Sequence, residues 1–162
     1  MKWLDKKVLV MGLGSFGGGI AAAKYFVEAH AKVTVTDLKT KKELGSSLKN
    51  LQSYVKKIKF VLGEHRDSDF EDNDIIVKNP AVPDESKYLA IARKANKVII
   101  NDASVFLENF KNPVIAVTGT RGKTTTTNWI AHFLKVKYPK IEAIGNSSKN
   151  SLFDVLRKPL KG

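Results

Sequence analysis

Apolar, β-branched runs alternate with segments of helical spacing from the start of the chain to about Phe110. Five runs read as strands: KVLVMG (7–12), KVTVTD (32–37), IKFVLG (58–63), DIIVKN (74–79) and KVIIND (97–102). Between them, 17–29, 41–56 and 84–96 carry helical spacing, the last opened by Pro83 and Asp84, which suit a first turn. Strand and helix in alternation predict a parallel sheet with crossover helices, a Rossmann-like α/β domain. The polar ENFKNP (108–113) then precedes a fresh apolar run, VIAVTG, so a boundary is expected there, with domains at 1–112 and 113–162. In the second part, 125–135 reads as a helix whose Trp129, Ile130, Phe133 and Leu134 pack into a core. IEAIG (141–145) reads as a short strand, and Leu152, Phe153, Val155 and Leu156 mark an amphipathic helix whose apolar face suits a sheet that these few elements do not close.

The chain has 162 residues, 43% of them hydrophobic, enough for one well-buried domain and part of another. Cysteine is absent, which excludes disulfides and thiolate metal sites, and no apolar stretch reaches the length of a signal peptide or membrane span. A cytoplasmic monomer with no membrane partner is expected. The net charge of +12 favours anionic ligands. All basic residues except Arg66, Arg93, Arg121 and Arg157 are Lys, however. Lys lacks the planar fork that reads bases, so the surplus reads as a solvated surface with no nucleic-acid partner. His30, His65 and His132 lie far apart without ligand spacing, and His30 stands near a helix end.

Two glycine motifs carry chemistry. GLGSFG (Gly12 to Gly17) joins the first strand to the first helix, where glycines permit a sharp turn and a close approach to phosphate. Asp37 ends the second strand, where an acidic residue commonly takes ribose hydroxyls. Taken alone, this pattern reads as NAD binding. The second motif is TGTRGKTT (118–125) between strand and helix. Backbone amides of Gly119, Thr120, Arg121, Gly122 and Thr125 are placed to wrap the phosphates of ATP, Lys123 to supply charge, and the Thr124 hydroxyl to reach Mg²⁺. Val117 stands where the general form of that loop begins with glycine.

These motifs in this order, with NPAVP (79–83), NDASVF (101–106) and IGN (144–146), resemble the Mur ligases, and the N-terminal fingerprint favours their D-glutamate-adding branch. The resemblance implies ATP-dependent amide formation between UDP-N-acetylmuramoyl-L-alanine and D-glutamate in peptidoglycan synthesis. It also implies that the first domain holds the uridine diphosphate, through Gly14, Ser15, Phe16 and Gly17 and through Asp37, Leu38, Lys39 and Asn79, with Asn146 facing the muramoyl part. Lys123 and Thr124 then act in catalysis. The family pattern Asp-Thr-Arg is Asp37-Leu38-Lys39 here, Ser-Pro-Gly is Asn79-Pro80-Ala81, and Gly-Asn-Ile-Gly has become GNSS. By the resemblance, the metal-binding glutamate, a histidine, a carbamylated lysine and a third domain lie beyond residue 162. The sequence therefore reads as a Rossmann-like domain followed by an incomplete P-loop α/β domain, inactive by itself. An NAD-linked oxidoreductase or sensor leaves TGTRGKTT unexplained. A folylpolyglutamate synthetase relative or another Mur-type ligase shares that loop.

Overall fold

A computed structural model of the chain describes residues 2–14, 17–145 and 151–157. Five strands, β1 (Lys7–Met11), β2 (Lys32–Asp37), β3 (Ile58–Leu62), β4 (Ile75–Lys78) and β5 (Val98–Ile100), form one parallel sheet in the order β3-β2-β1-β4-β5. Each lies within the run that predicts it. Val8 pairs with Val33 on one side and Ile75 on the other, so β1 is central.

Side chains alternate across a strand, and β1 divides them accordingly. Val8 and Val10 enter a large core with Val33, Val35 and Phe26, whereas Leu9 and Met11 enter a smaller one with Ile76, Phe70 and Leu89. The large core lies under α1 (Gly18–Glu28), whose Ala21, Ala22 and Ala23 let the helix approach the sheet closely. The smaller lies under α3 (Asp67–Asp72) and α4 (Lys87–Lys94). Burial on both faces explains the continuous apolar runs of β1 and β4.

The helical reading of 41–56 is divided: α2 (Gly45–Lys49) ends at Asn50, and a 3-10 helix (Gln52–Lys57) follows. After β5 comes α5 (Asp102–Asn109), started by a capping box in which Asn101 Oδ1 accepts the Ser104 amide and Ser104 Oγ accepts the Asn101 amide. α6 (Lys123–Leu134) and α7 (Leu152–Arg157) complete the described elements.

The second part departs from expectation in three ways. Residues 114–119 and 141–145 join no sheet among the described residues, because a strand exists only where a neighbour takes its hydrogen bonds. Trp129 and Phe133 on α6 stand 56% and 66% exposed instead of packing inward, and stack on each other with ring centroids 5.4 Å apart. Ile130 and Leu134 face a cavity of about 560 Å³ shared with Phe106, Ile115, Ile144 and Val155. Lastly, α7 packs against α1 and α5 rather than on a sheet of its own part, with Phe153 buried in the large core.

Candidate nucleotide-binding sites

The chain reverses direction across the sheet between β1 and β4, and this switch point opens a crevice at the strands' C-terminal ends. A cleft of about 340 Å³ occupies it. The turn from β1 into α1 requires left-handed backbone at Gly12 (φ 90°), Gly14 (φ 63°) and Gly17 (φ 93°). Gly19 has a different task. A Cβ there would stand 2.4 Å from the Gly12 carbonyl oxygen and 2.5 Å from that of Leu13, so helix and turn meet only because this side chain is missing. The glycine run after the fingerprint thus carries the close helix packing.

Three side chains hold this turn from outside it. Asp37, 7% exposed, accepts the Gly14 amide on Oδ2 at 3.0 Å and the Lys39 amide on Oδ1 at 2.9 Å. Ser47 Oγ on α2 donates to the Gly14 carbonyl at 2.8 Å. Asn79 Nδ2 donates to the Gly12 carbonyl at 3.3 Å, while its Oδ1 accepts the Ala81 amide at 3.0 Å. Both polar backbone groups of Gly14 are therefore engaged within the protein. Among the described residues the first-turn amides of α1, which follow Gly17 and have no side-chain cap, are donors open to an anion.

Gly14, Asp37, Lys39 and Asn79 all line the cleft, and Gly17 starts the helix beside it. Leu38 does not line it and is 63% exposed. Ser15, Phe16 and Asn146 lie outside the described residues. Asp102 and Phe153 also line the cleft and were not among the expected contacts, and Ser47 supports it from behind. Asp102 was discoverable from its place just after β5, since such sheets bind beyond their strand ends. Ser47 carries no signal in the sequence, and Phe153 signals only an apolar helix face and not the cleft. Nearby, Lys78 holds Asp84 at 2.6 Å, and this hydrogen bond lowers the Asp84 pKa. Burial lowers the pKa of His65, against the pull of Asp37 and Asp69, and its Nδ1 stands 2.7 Å from Thr36 Oγ1. His30 instead occupies a left-handed position after α1, its carbonyl accepting the Asp5 amide at 3.0 Å.

The second motif forms a loop into α6. Gly119 (φ 149°) and Gly122 (φ 78°) bend it, and Gly122 starts the helix without a side-chain cap among the described residues. Thr120, Arg121, Lys123, Thr124 and Thr125 are all exposed. Lys123 Nζ folds back onto the Gly119 carbonyl at 2.6 Å, closing the loop around its own charge. Among the described residues no three His, Cys, Asp or Glu side chains are grouped for a metal, and no helix is long and apolar enough to cross a membrane.

A parallel doubly wound sheet with a glycine turn at its switch point, followed by a Gly-Lys-Thr loop opening a helix, defines a doubly wound α/β protein, an architecture that commonly hosts nucleotides. Two family descriptions match it: "Mur ligase MurD-like, N-terminal domain" over residues 6–101 and "Mur ligase middle domain" over 117–160. The chain belongs to the Mur ligase family. It is 44% identical over 150 residues to the UDP-N-acetylmuramoylalanine--D-glutamate ligase of Borreliella afzelii, a match covering 91% of this chain and 32% of that enzyme. The ligase of the same name from Roseiflexus sp. is 44% identical over 146 residues, covering 90% and 31%. A solved pseudomurein peptide ligase type C from Methanothermus fervidus aligns with TM-score 0.48 and 28% identity, over 81% of this chain and 26% of that one. The chain thus spans about a third of the length of the curated relatives it matches.

Proposed function

We propose that residues 1–112 bind the uridine diphosphate end of UDP-N-acetylmuramoyl-L-alanine, and that residues 113–162 begin the ATP-binding unit of an enzyme that adds D-glutamate to it. The observation that carries this reading is a pair of helix starts. α1 and α6 each open at a left-handed glycine, Gly17 and Gly122, with no side-chain cap among the described residues. Such starts favour anions, and the ligation takes two phosphate-bearing substrates. The Asp37 carboxylate already holds two backbone amides, which favours a structural task over the ribose contact of an NAD enzyme.

In this reading the cleft grips the nucleotide through the first-turn amides of α1, with Lys39 and Asn79 on its walls. Gly14 and Gly17 frame the phosphate turn and Asp37 anchors the uracil side; by the family resemblance Ser15, Phe16 and Leu38 are further nucleotide contacts, and Asn146 a contact for the muramoyl part. ATP lies against the amides of 119–125. Lys123 would exchange its bond to Gly119 for the outer phosphates, where a cation offsets the charge of phosphoryl transfer. The exposed Thr124 hydroxyl fits a magnesium ion, and bound magnesium supplies charge neutralisation at the phosphates. The alanine carboxylate attacks the γ-phosphorus, ADP leaves, and the D-glutamate amine then displaces phosphate from the acyl group. The reading puts a monomeric enzyme in the cytoplasm.

Calorimetric titration of the chain with UDP and with NADH tests the first domain. Leu38 and Ala81 depart from the family pattern, so UDP should bind near millimolar, about 4 kcal/mol, and more tightly than NADH. NADH binding that Asp37→Ala abolishes, with no response to UDP, would overturn the assignment.

A further inference from the structure

We propose that α7 is a wall of the first cleft: Phe153 completes its apolar floor and the Glu28–Arg157 fork holds the helix there, so that both halves of the chain build one binding site. Phe153 lines the cleft with Val10, Ala22 and Val77, three residues from β1, α1 and β4. The residue is only 2% exposed, so it lines the cleft while its ring is held by Tyr25 and Phe26, at centroid distances of 5.3 and 5.7 Å. On the same helix, Val155 lines the second cavity with Phe106 and Ile115. α7 therefore stands between the two cavities.

A helix of six residues does not persist on its own, so docking is what forms it. Ser151 Oγ caps it by accepting the Asp154 amide at 3.1 Å. Arg157 binds Glu28 through two nitrogens, and Tyr54 donates to the same carboxylate at 2.5 Å. A planar fork on a carboxylate fixes direction as well as distance. The chemical effect at the cleft is dryness. Phe153 keeps water from the cleft floor it shares with Ala22, and a low dielectric in the cleft strengthens the hold of the backbone amides at its rim on an anion. That the anion is a uridine diphosphate rests on the function proposed above; the composite wall does not.

The test uses the 162-residue chain, with UDP as probe, in wild type, Phe153→Leu, Phe153→Ala and Arg157→Met. UDP affinity should fall about threefold in Phe153→Leu and about tenfold in Phe153→Ala and Arg157→Met. Amide exchange without ligand should quicken in α1 and α7 of Arg157→Met and stay unchanged in β4. If wild type binds no UDP, the uridine reading fails alone, and unchanged α1 exchange in Arg157→Met is the result that overturns the wall. If Phe153→Ala does not fold, Phe153→Leu and Arg157→Met carry the test. UDP affinity within about twofold of wild type in both of these also overturns it.

Discussion

Arg157 and Glu28, 129 residues apart in sequence, meet through two N–H···O bonds, Nε to Oε2 at 2.8 Å and Nη2 to Oε1 at 2.6 Å. The Arg157 hydrogen bond lowers the Glu28 pKa most, burial opposes it, and Tyr54 adds to the lowering. A carboxyl depressed in the folded state stabilises above its unfolded pKa, and that stability is lost as pH falls through the folded value. The pair is partly open, with side-chain exposures of 16% and 39%, so screening limits it to the range of a good surface pair. A double-mutant cycle with Glu28→Gln and Arg157→Met should give a coupling of about 0.5–1 kcal/mol at neutral pH. Urea melts repeated toward about pH 3 should show it vanish below the ordinary glutamate range; a coupling independent of pH would mean that the fork does not form.

Gly19→Ala should be the most damaging small substitution in the first domain, because its methyl would meet two backbone carbonyls that cannot turn aside. The expected cost is about 3 kcal/mol or more. Gly45→Ala is the control: nothing lies within 4 Å of its Cβ and α2 starts there, so a gain of about 0.5 kcal/mol is expected. Thermal melting of the two variants should move in opposite directions.

Asp37→Asn replaces one of two acceptors by a donor, leaving the amide of Gly14 or Lys39 facing an N–H group. An unpaired buried donor costs about 1–3 kcal/mol. Chemical denaturation should register that loss without any ligand present. Wild-type stability in the Asp37→Asn variant would show that the carboxylate does not hold the turn.

Lys123→Ala should separate folding from binding. The lysine is exposed and its one bond stays within its own loop, so stability should change by less than about 0.5 kcal/mol. The rise in melting temperature with ATP and Mg²⁺ should disappear. An equal rise in the variant would remove Lys123 from the phosphate site.

The sheet was legible because its signal is local: KVLVM and KVTVTD keep their apolar runs whatever else the chain does, and both became strands. The turn was legible for the same reason, since Gly12, Gly14 and Gly17 answer to φ angles within a few residues. Long-range facts were not. VIAVTG has the composition of a strand, but pairing depends on a neighbour that the described residues lack. Trp129 and Phe133 have the spacing of a core face and meet solvent instead. Phe153 reads as part of an amphipathic helix, and nothing in its own segment tells that Tyr25 and Phe26 receive it. Ser47 is an ordinary serine until α2 brings it to the Gly14 carbonyl.

The bare backbone of 114–118 has a consequence for colloidal behaviour. Its Val114 and Ile115 are 40% and 60% exposed, and unpaired β-branched backbone is a template for edge-to-edge association with another molecule. Opposing this is like-charge repulsion, 28 basic residues against 16 acidic ones. That repulsion weakens as ionic strength rises, its reach being about 10 Å at 0.1 M salt and about 3 Å at 1 M. Added salt should therefore drive these molecules together, with light scattering that grows with protein concentration and recedes on dilution into low-salt buffer.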